Sequence, residues 1–205
     1  MIQLDNVTIH VRGRDILRHC TTTIEPATIT HLTGVNGSGK TTLIRAIAGI
    51  QRYSGSILFD GVDAARVRPL LYVCFDDAAV FPFLSGYENI RMLLGRTIPR
   101  VTIATAAPSV AGHSLLRLPA RKLSHGQRKR LHLVAALLSG ARYLILDEAL
   151  NGVDAPTVGE VGDALLRRAR ESTVLITGHH DDSYAKLSTR RLALAGGTIS
   201  AGVDA

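Results

Sequence analysis

Apolar and polar residues alternate along "MIQLDNVTIHV" and again along "CTTTIEPATITHL". This is the period-two pattern of strands with one wet face, and it predicts short antiparallel strands at the start of the chain. The run "ATITHLT" reads as a buried strand, and a helix follows in which Leu43, Ile44, Ile47 and Ala48 are spaced for one covered face. "SGSILFDG" is a strand between turn residues, and "LLYVCF" at 70–75 is a further, buried one. From 81 to about 121 the pattern changes to short helical pieces broken by Pro82, Pro99, Pro108 and Pro119, which predicts an inserted helical subdomain over roughly 77–125. Strand and helix then alternate: a helix after Gly126, the strand "RYLILD", a helix from Thr157, the strand "TVLITG" and a closing hairpin in "RRLALAGGTISAG". That order predicts an α/β fold, a mostly parallel sheet flanked by helices, in one domain over 1–205.

Between the buried strand and the first helix stands "GVNGSGKTT", which fits G-x-x-x-x-G-K-[ST] from Gly34 through Gly39 and Lys40 to Thr41. Gly34, Gly37 and Gly39 allow backbone conformations that most side chains forbid. Successive N–H groups through Val35, Asn36, Ser38 and on to Thr42 can therefore turn inward around phosphate oxygens at a helix start. Lys40 then reaches the β- and γ-phosphates, and Thr41 offers a hydroxyl to Mg²⁺, an ion that takes hard oxygen ligands. A nucleoside triphosphate and Mg²⁺ are the ligands this loop predicts.

Composition narrows the class. The chain has 205 residues, 46% of them hydrophobic and 20% charged, enough to bury a core and unlike a disordered segment. No apolar run reaches the roughly 18 to 20 residues needed to cross a bilayer, and the start lacks the basic head and apolar stretch of a secretion signal, so the chain is expected in the cytosol. Cys20 and Cys74 are expected as reduced, packed thiols. Twenty-four Lys and Arg against 17 Asp and Glu give a net charge of +7. The basic residues are spread, with denser spots at 121–122, 128–130, 167–170 and 190–191, and read as a solvated surface; no nucleic-acid motif accompanies them.

Further along, "ARYLILDEALNGVD" places a strand at 143–146 directly before Asp147 and Glu148. A carboxylate at the end of a buried strand beside a phosphate loop suits a Mg²⁺-holding aspartate, and the adjacent glutamate can polarise a water for attack on a phosphate. "LSHGQRKRLHLVAALL", from Leu123, opens an amphipathic helix at Ser124 and Gly126, where a hydroxyl and free N–H groups can bind an anion. Together these segments closely resemble the ATP-binding cassette ATPases, whose signature sequence is usually leucine-serine-glycine-glycine-glutamine. The resemblance covers nearly the whole chain, taking in "NGVD" at 151–154, similar to the family's D-loop, and "VLITGHHDD", similar to its switch-histidine segment.

The resemblance implies a P-loop NTPase of the cassette type: a mixed sheet core, an N-terminal antiparallel β subdomain and an inserted helical subdomain. It implies that two such domains pack head to tail, with ATP on one Lys40 loop closed over by Leu123, Ser124, His125, Gly126 and Gln127 of the other and with Asp154 in the D-loop. Glu148 becomes the general base or water-orienting carboxylate. His179 becomes the γ-phosphate contact by its spacing from Val174, while His180 stays as an alternative because "HDD" also matches the usual histidine-aspartate. The partners implied are separate transmembrane permease subunits and a second ATPase subunit, identical or not, at the inner face of the cell membrane; no nucleic acid is expected. The short chain is similar to compact bacterial export-type cassettes such as haem-exporter ATPases.

Departures from the pattern fall at defined places. The adenine-stacking aromatic aligns with Val11, with His10 beside it, and the Q-loop glutamine, a metal and water contact, aligns with Asp76. Ala149 stands where proline commonly follows the glutamate, and Gly178 where serine or threonine commonly precedes the histidine. Since Lys40, Thr41, Ser124, Asp147, Glu148 and His179 are all present, an active ATPase is expected. Two other readings stand beside it: a soluble cassette ATPase acting on nucleic acid or ribosomes, suggested by the basic balance, and an ATP-binding subunit with little hydrolysis, suggested by Asp76.

Overall fold

The computed structural model describes residues 1–76, 80–108, 111–178 and 186–202. The chain opens with β1 (Ile2–Val11) and β2 (Arg14–Ile24), an antiparallel pair in which Ile2, Leu4, Val7, Ile9, Leu17, Cys20 and Ile24 all turn inward. Next come β3 (Ile29–Thr33), α1 (Lys40–Ile47), β4 (Ser54–Phe59), β5 (Val62–Asp63), the short α2 (Ala64–Val67) and β6 (Leu71–Cys74). The helical middle contributes α3 (Gly86–Leu94), α4 (Arg100–Ala106) and α5 (His113–Arg117). After it come α6 (His125–Leu138), β7 (Tyr143–Asp147), α7 (Ala155–Ala169), β8 (Thr173–Thr177), β9 (Arg190–Ala195) and β10 (Thr198–Ala201).

Two sheets result. One is antiparallel in the order β2-β1-β4-β5, and the other runs β10-β9-β3-β8-β7-β6, parallel apart from the closing β9–β10 hairpin. In the second sheet β3, β7 and β8 are buried along their whole length. Alternation explains why such strands are apolar throughout: Tyr143 and Ile145 face a core shared with α1 and the antiparallel sheet, whereas Leu144 and Leu146 face the core under α6, α7 and the helical middle. A strand covered on both sides has no wet face to mark with polar residues.

Some expectations are corrected by this topology. The segment "CTTTIEPATITHL" is split by a turn at 25–28 into β2 and β3, and β3 is a parallel strand of the other sheet rather than part of an antiparallel run. β6 sits at the sheet edge and is only half-buried apart from Cys74. α7 begins two residues earlier than Thr157, since Asp154 caps it and Pro156 suits a first turn that needs no N–H donor. Cys20 and Cys74 are free, buried thiols, and burial pushes Cys74 up to about 12, which keeps it neutral.

Asp60, in the turn after β4, ties the sheets together. Its carboxylate accepts from the Met1 amino group at 2.6 Å and from the Tyr143 hydroxyl at 2.6 Å, and it pairs with Arg142 at 2.5 Å. Phe59 meets the Tyr143 ring edge-on at 4.8 Å between centroids. Burial pushes the Asp60 carboxyl up, but the amino terminus, Tyr143 and Arg142 outweigh it and hold it below the ordinary value. A carboxyl held below its unfolded value stabilises the fold above that unfolded value, and the contribution is lost as pH falls through the folded one. Asp60→Asn is therefore expected to cost about 1–3 kcal/mol at neutral pH. In urea melts its deficit against the parent chain should shrink as pH drops towards ~3; a deficit that does not change with pH would assign the loss to packing.

Candidate functional site

The carboxyl ends of β3, β7 and β8 lie side by side, and the candidate residues stand there, where ligands of open α/β sheets bind. The loop 34–39 leaves β3 and enters α1, with Gly37 at φ 80° and Gly39, the residue before the helix, at φ 109°. A side chain at Gly39 would meet Ile16 at 2.6 Å, and one at Gly34 would meet the Leu194 carbonyl at 2.6 Å, so the loop closes only with glycine at these points. Ser38 Oγ is buried and has no hydrogen-bond partner among the described residues. In a native structure such an orphan points to a missing ligand atom.

Lys40 is 5% exposed. Its ammonium donates to the carbonyls of Gly34 at 2.9 Å and Val35 at 3.4 Å and faces Glu148 Oε1 at 3.6 Å. Asn36, Gly37, Gly39, Lys40, Thr41, Thr42, Glu148 and Ile16 together line an open cleft of about 290 Å³. Val35 stands outside it, strongly exposed.

Across the cleft Asp147 is buried, and its Oδ1 accepts from Thr177 Oγ1 at 2.7 Å. Burial pushes its carboxyl up; hydrogen bonds from Thr177 and Thr41 and the charge of Lys40 act against that, while Glu148 adds to it. A hydroxyl and a carboxylate thus converge as hard oxygen donors, and the buried carboxylate lacks full compensation by the protein: both features fit a small divalent cation. Glu148 has φ 52°, unusual for a side-chain-bearing residue. Its N–H donates to Thr177 Oγ1 at 3.0 Å and to the Thr177 carbonyl at 3.1 Å, and its Oε2 accepts from Asn151 Nδ2 at 3.1 Å. Ala149 and Leu150 beyond it are buried, so the segment after Glu148 is packed although it lacks proline.

The other expected residues lie away from the cleft. Ser124 caps α6 in a reciprocal pair: its Oγ accepts from the Gln127 N–H at 3.2 Å, and the Gln127 side chain accepts from the Ser124 N–H at 2.9 Å. Leu123 is buried behind them, His125 is exposed, and a side chain on Gly126 would come within 3.6 Å of the Gly152 carbonyl. Asp154 caps α7 through Thr157 and pairs with Arg130; the Thr157 bonds and then Arg130 hold its carboxyl below the ordinary value. Asp76, expected at a metal, is ion-paired with Lys129. Val11 ends β1 opposite Arg14 and packs against the β1–β2 core, and His10 pairs with Asp15. His179 and His180 lie outside the described residues.

Residues 17–151 match the protein family described as ABC transporter. The chain belongs to that family. Among curated relatives it is 36% identical over 187 residues to the molybdenum import ATP-binding protein ModC of Methylococcus capsulatus, covering 84% of this chain and 52% of ModC. It is also 31% identical over 204 residues to the ABC transporter ATP-binding protein YhcH of Bacillus subtilis, covering 95% of this chain and 66% of YhcH. The cassette thus spans about half to two thirds of the length of these relatives. Its fold matches the dimeric post-hydrolysis structure of the ATP-binding cassette MJ0796 with ADP and phosphate, at a TM-score of 0.84 and 20% identity over 98% of this chain and 97% of that one.

Three residues that the cassette uses around the cleft are absent from the sequence reading. Ile16 is one apolar position among many in β2, and nothing in the pattern marks it as the one against Gly39. Thr177 ends a strand-like run, and its only signal is a hydroxyl in an otherwise apolar stretch. Lys129 belongs to the basic spot at 128–130 and is 10% exposed rather than solvated. Thr177→Val, which keeps the shape and removes the hydroxyl, is expected to lower the unfolding free energy by about 1–3 kcal/mol because Asp147 stays buried with one donor fewer. Urea denaturation measures this, and an unmoved midpoint would show that the hydroxyl carries no weight.

Proposed function

We propose that this cassette binds ATP on the 34–42 loop and hydrolyses it when two copies, or two related chains, close head to tail. The convergence of Lys40, Glu148, Thr41 and Asp147 on one cleft is the observation that carries the reading. The glycine loop cradles the phosphates, and Lys40, already desolvated, balances their charge. Thr41 and Asp147 would hold Mg²⁺, which supplies charge neutralisation at the phosphates; Asp76, expected in the same role, is paired with Lys129. Glu148 orients the attacking water and accepts its proton, and one of His179 and His180 contacts the γ-phosphate.

Closure of the site by Ser124 and Gln127 of a second cassette is supported by their place at the exposed start of α6. Ser124 Oγ accepts within its own chain, and among the described residues its O–H is left to donate to an incoming phosphate. Asp154, at the start of α7, belongs to the same facing surface in this reading. Val11, with His10 beside it, stands where the family stacks an aromatic on the base, so affinity rests chiefly on the phosphates. Among the described residues no helix is long and apolar enough to cross a membrane, in keeping with a cytoplasmic subunit held at the membrane by separate permease subunits. The helical middle docks those subunits, and ATP-driven closure of the pair moves them. The import named for ModC favours uptake over the export-type likeness.

The test is Mg²⁺-dependent ATP hydrolysis by the purified chain over a wide range of protein concentration, with Glu148→Gln in parallel. Rate per subunit should rise with concentration, and the variant should lose at least ~100-fold in turnover while it still binds nucleotide. Turnover that is independent of concentration, or kept by Glu148→Gln, would overturn the reading.

A further inference from the structure

Outside the cleft, Lys129 joins the segment after β6 to the segment after β7. It rises from the second turn of α6, and its ammonium, 10% exposed, meets Asp76 beyond the end of β6. The same ammonium donates to the Asn151 carbonyl at 2.8 Å. Asn151 in turn donates from Nδ2 to Glu148 Oε2 at 3.1 Å and from its N–H to the Glu148 carbonyl at 3.0 Å. On its other oxygen Glu148 faces Lys40 at 3.6 Å. A continuous polar path therefore runs from Asp76 through Lys129 and Asn151 to Glu148 and the phosphate loop.

We propose that Lys129 is a positioning residue for Glu148, with Asp76 as its fixed counter-ion; this rests on the reading of Glu148 as the water-orienting carboxylate. The reason lies in the backbone. Glu148 occupies a left-handed conformation that a β-carbon disfavours, and such a conformation persists only where its surroundings over-determine it. Thr177 holds the N–H side of Glu148, and Asn151 holds both its carbonyl and its carboxylate. Asn151 lies in a turn whose carbonyl is anchored by the buried Lys129 ammonium. Without that anchor the turn can shift, the Glu148 carboxylate loses its Nδ2 donor, and the water it orients moves out of line. Asp76 keeps the ammonium in place, since a largely covered cation stripped of its partner is costly. It is half exposed, at 51%, so the pair is open to solvent from one end only. The Asp76 position thus serves the hydrolysis step through α6.

The experiment compares kcat, KM for ATP and fluorescent-nucleotide affinity of the full chain, at a concentration where turnover per subunit is maximal, for Lys129→Gln, Lys129→Arg, Asp76→Asn and Glu148→Gln. Lys129→Gln should lower kcat about 10-fold, because a small displacement of an orienting group is enough for such a loss, and leave KM and nucleotide affinity within about twofold. Lys129→Arg should recover most of kcat, as it keeps charge and donors. Asp76→Asn should fall between, and the double substitution Asp76→Asn with Lys129→Gln should be no slower than Lys129→Gln alone. An unchanged kcat in Lys129→Gln, with Glu148→Gln inactive, overturns this inference and leaves the reading of Glu148 intact. Loss of nucleotide binding together with turnover in Lys129→Gln makes the residue a support of the fold and also overturns it. Persisting turnover in Glu148→Gln, or none in the unaltered chain, removes the reading underneath and the inference with it.

Discussion

The Lys40 ammonium sits almost entirely out of water, and much of the site is arranged around it. A desolvated cation is tolerated only with charge and hydrogen bonds close by, and here two loop carbonyls and Glu148 supply them. For the carbonyls of Gly34 and Val35 to face inward the loop must curl tightly, which in turn demands glycine where Leu194 and Ile16 press against it. The same curl leaves N–H groups at the start of α1 without partners in the helix, the arrangement that attracts phosphate. One charge therefore links the loop, the helix start and the acidic strand end.

The two-sided core makes this placement rigid. β3, β7 and β8 are covered on both faces by separate apolar clusters, so the strands that carry the loop, Asp147 and Thr177 cannot slip in register without swapping side chains between two close-packed cores and disrupting both. Asp147 and Thr177 are register partners and meet through a hydrogen bond at 2.7 Å, which fixes the acidic group at a depth where burial disfavours its charge. Asp60 performs a similar service at the far end of β7, where it joins the antiparallel sheet to Tyr143.

Charge on α6 follows a related logic. Lys129 and Arg130 lie next to each other and are spent on different neighbours, Asp76 and the Asn151 carbonyl for one and Asp154 for the other. The helix whose first turn is built by Ser124 and Gln127 is thereby fastened to the segments that follow β6 and β7.

By itself the sequence determined the glycine loop with Lys40 and Thr41, the paired acids after an apolar strand, the serine-led helix and the alternation of strand and helix. Each of these is a local pattern whose meaning is set by backbone conformation or by period, and each stands where its spacing puts it. Position in the fold decided the rest. β3 and β2 read alike in polarity yet belong to different sheets, because pairing depends on partners distant in the chain. Lys129 reads as one more solvated cation in a basic run, and only the packing of α6 against the ends of β6 and β7 turns it into a buried link. Ile16 and Thr177 gain their roles in the same way, from neighbours more than twenty residues distant along the chain. Their own flanking residues carry no trace of that contact.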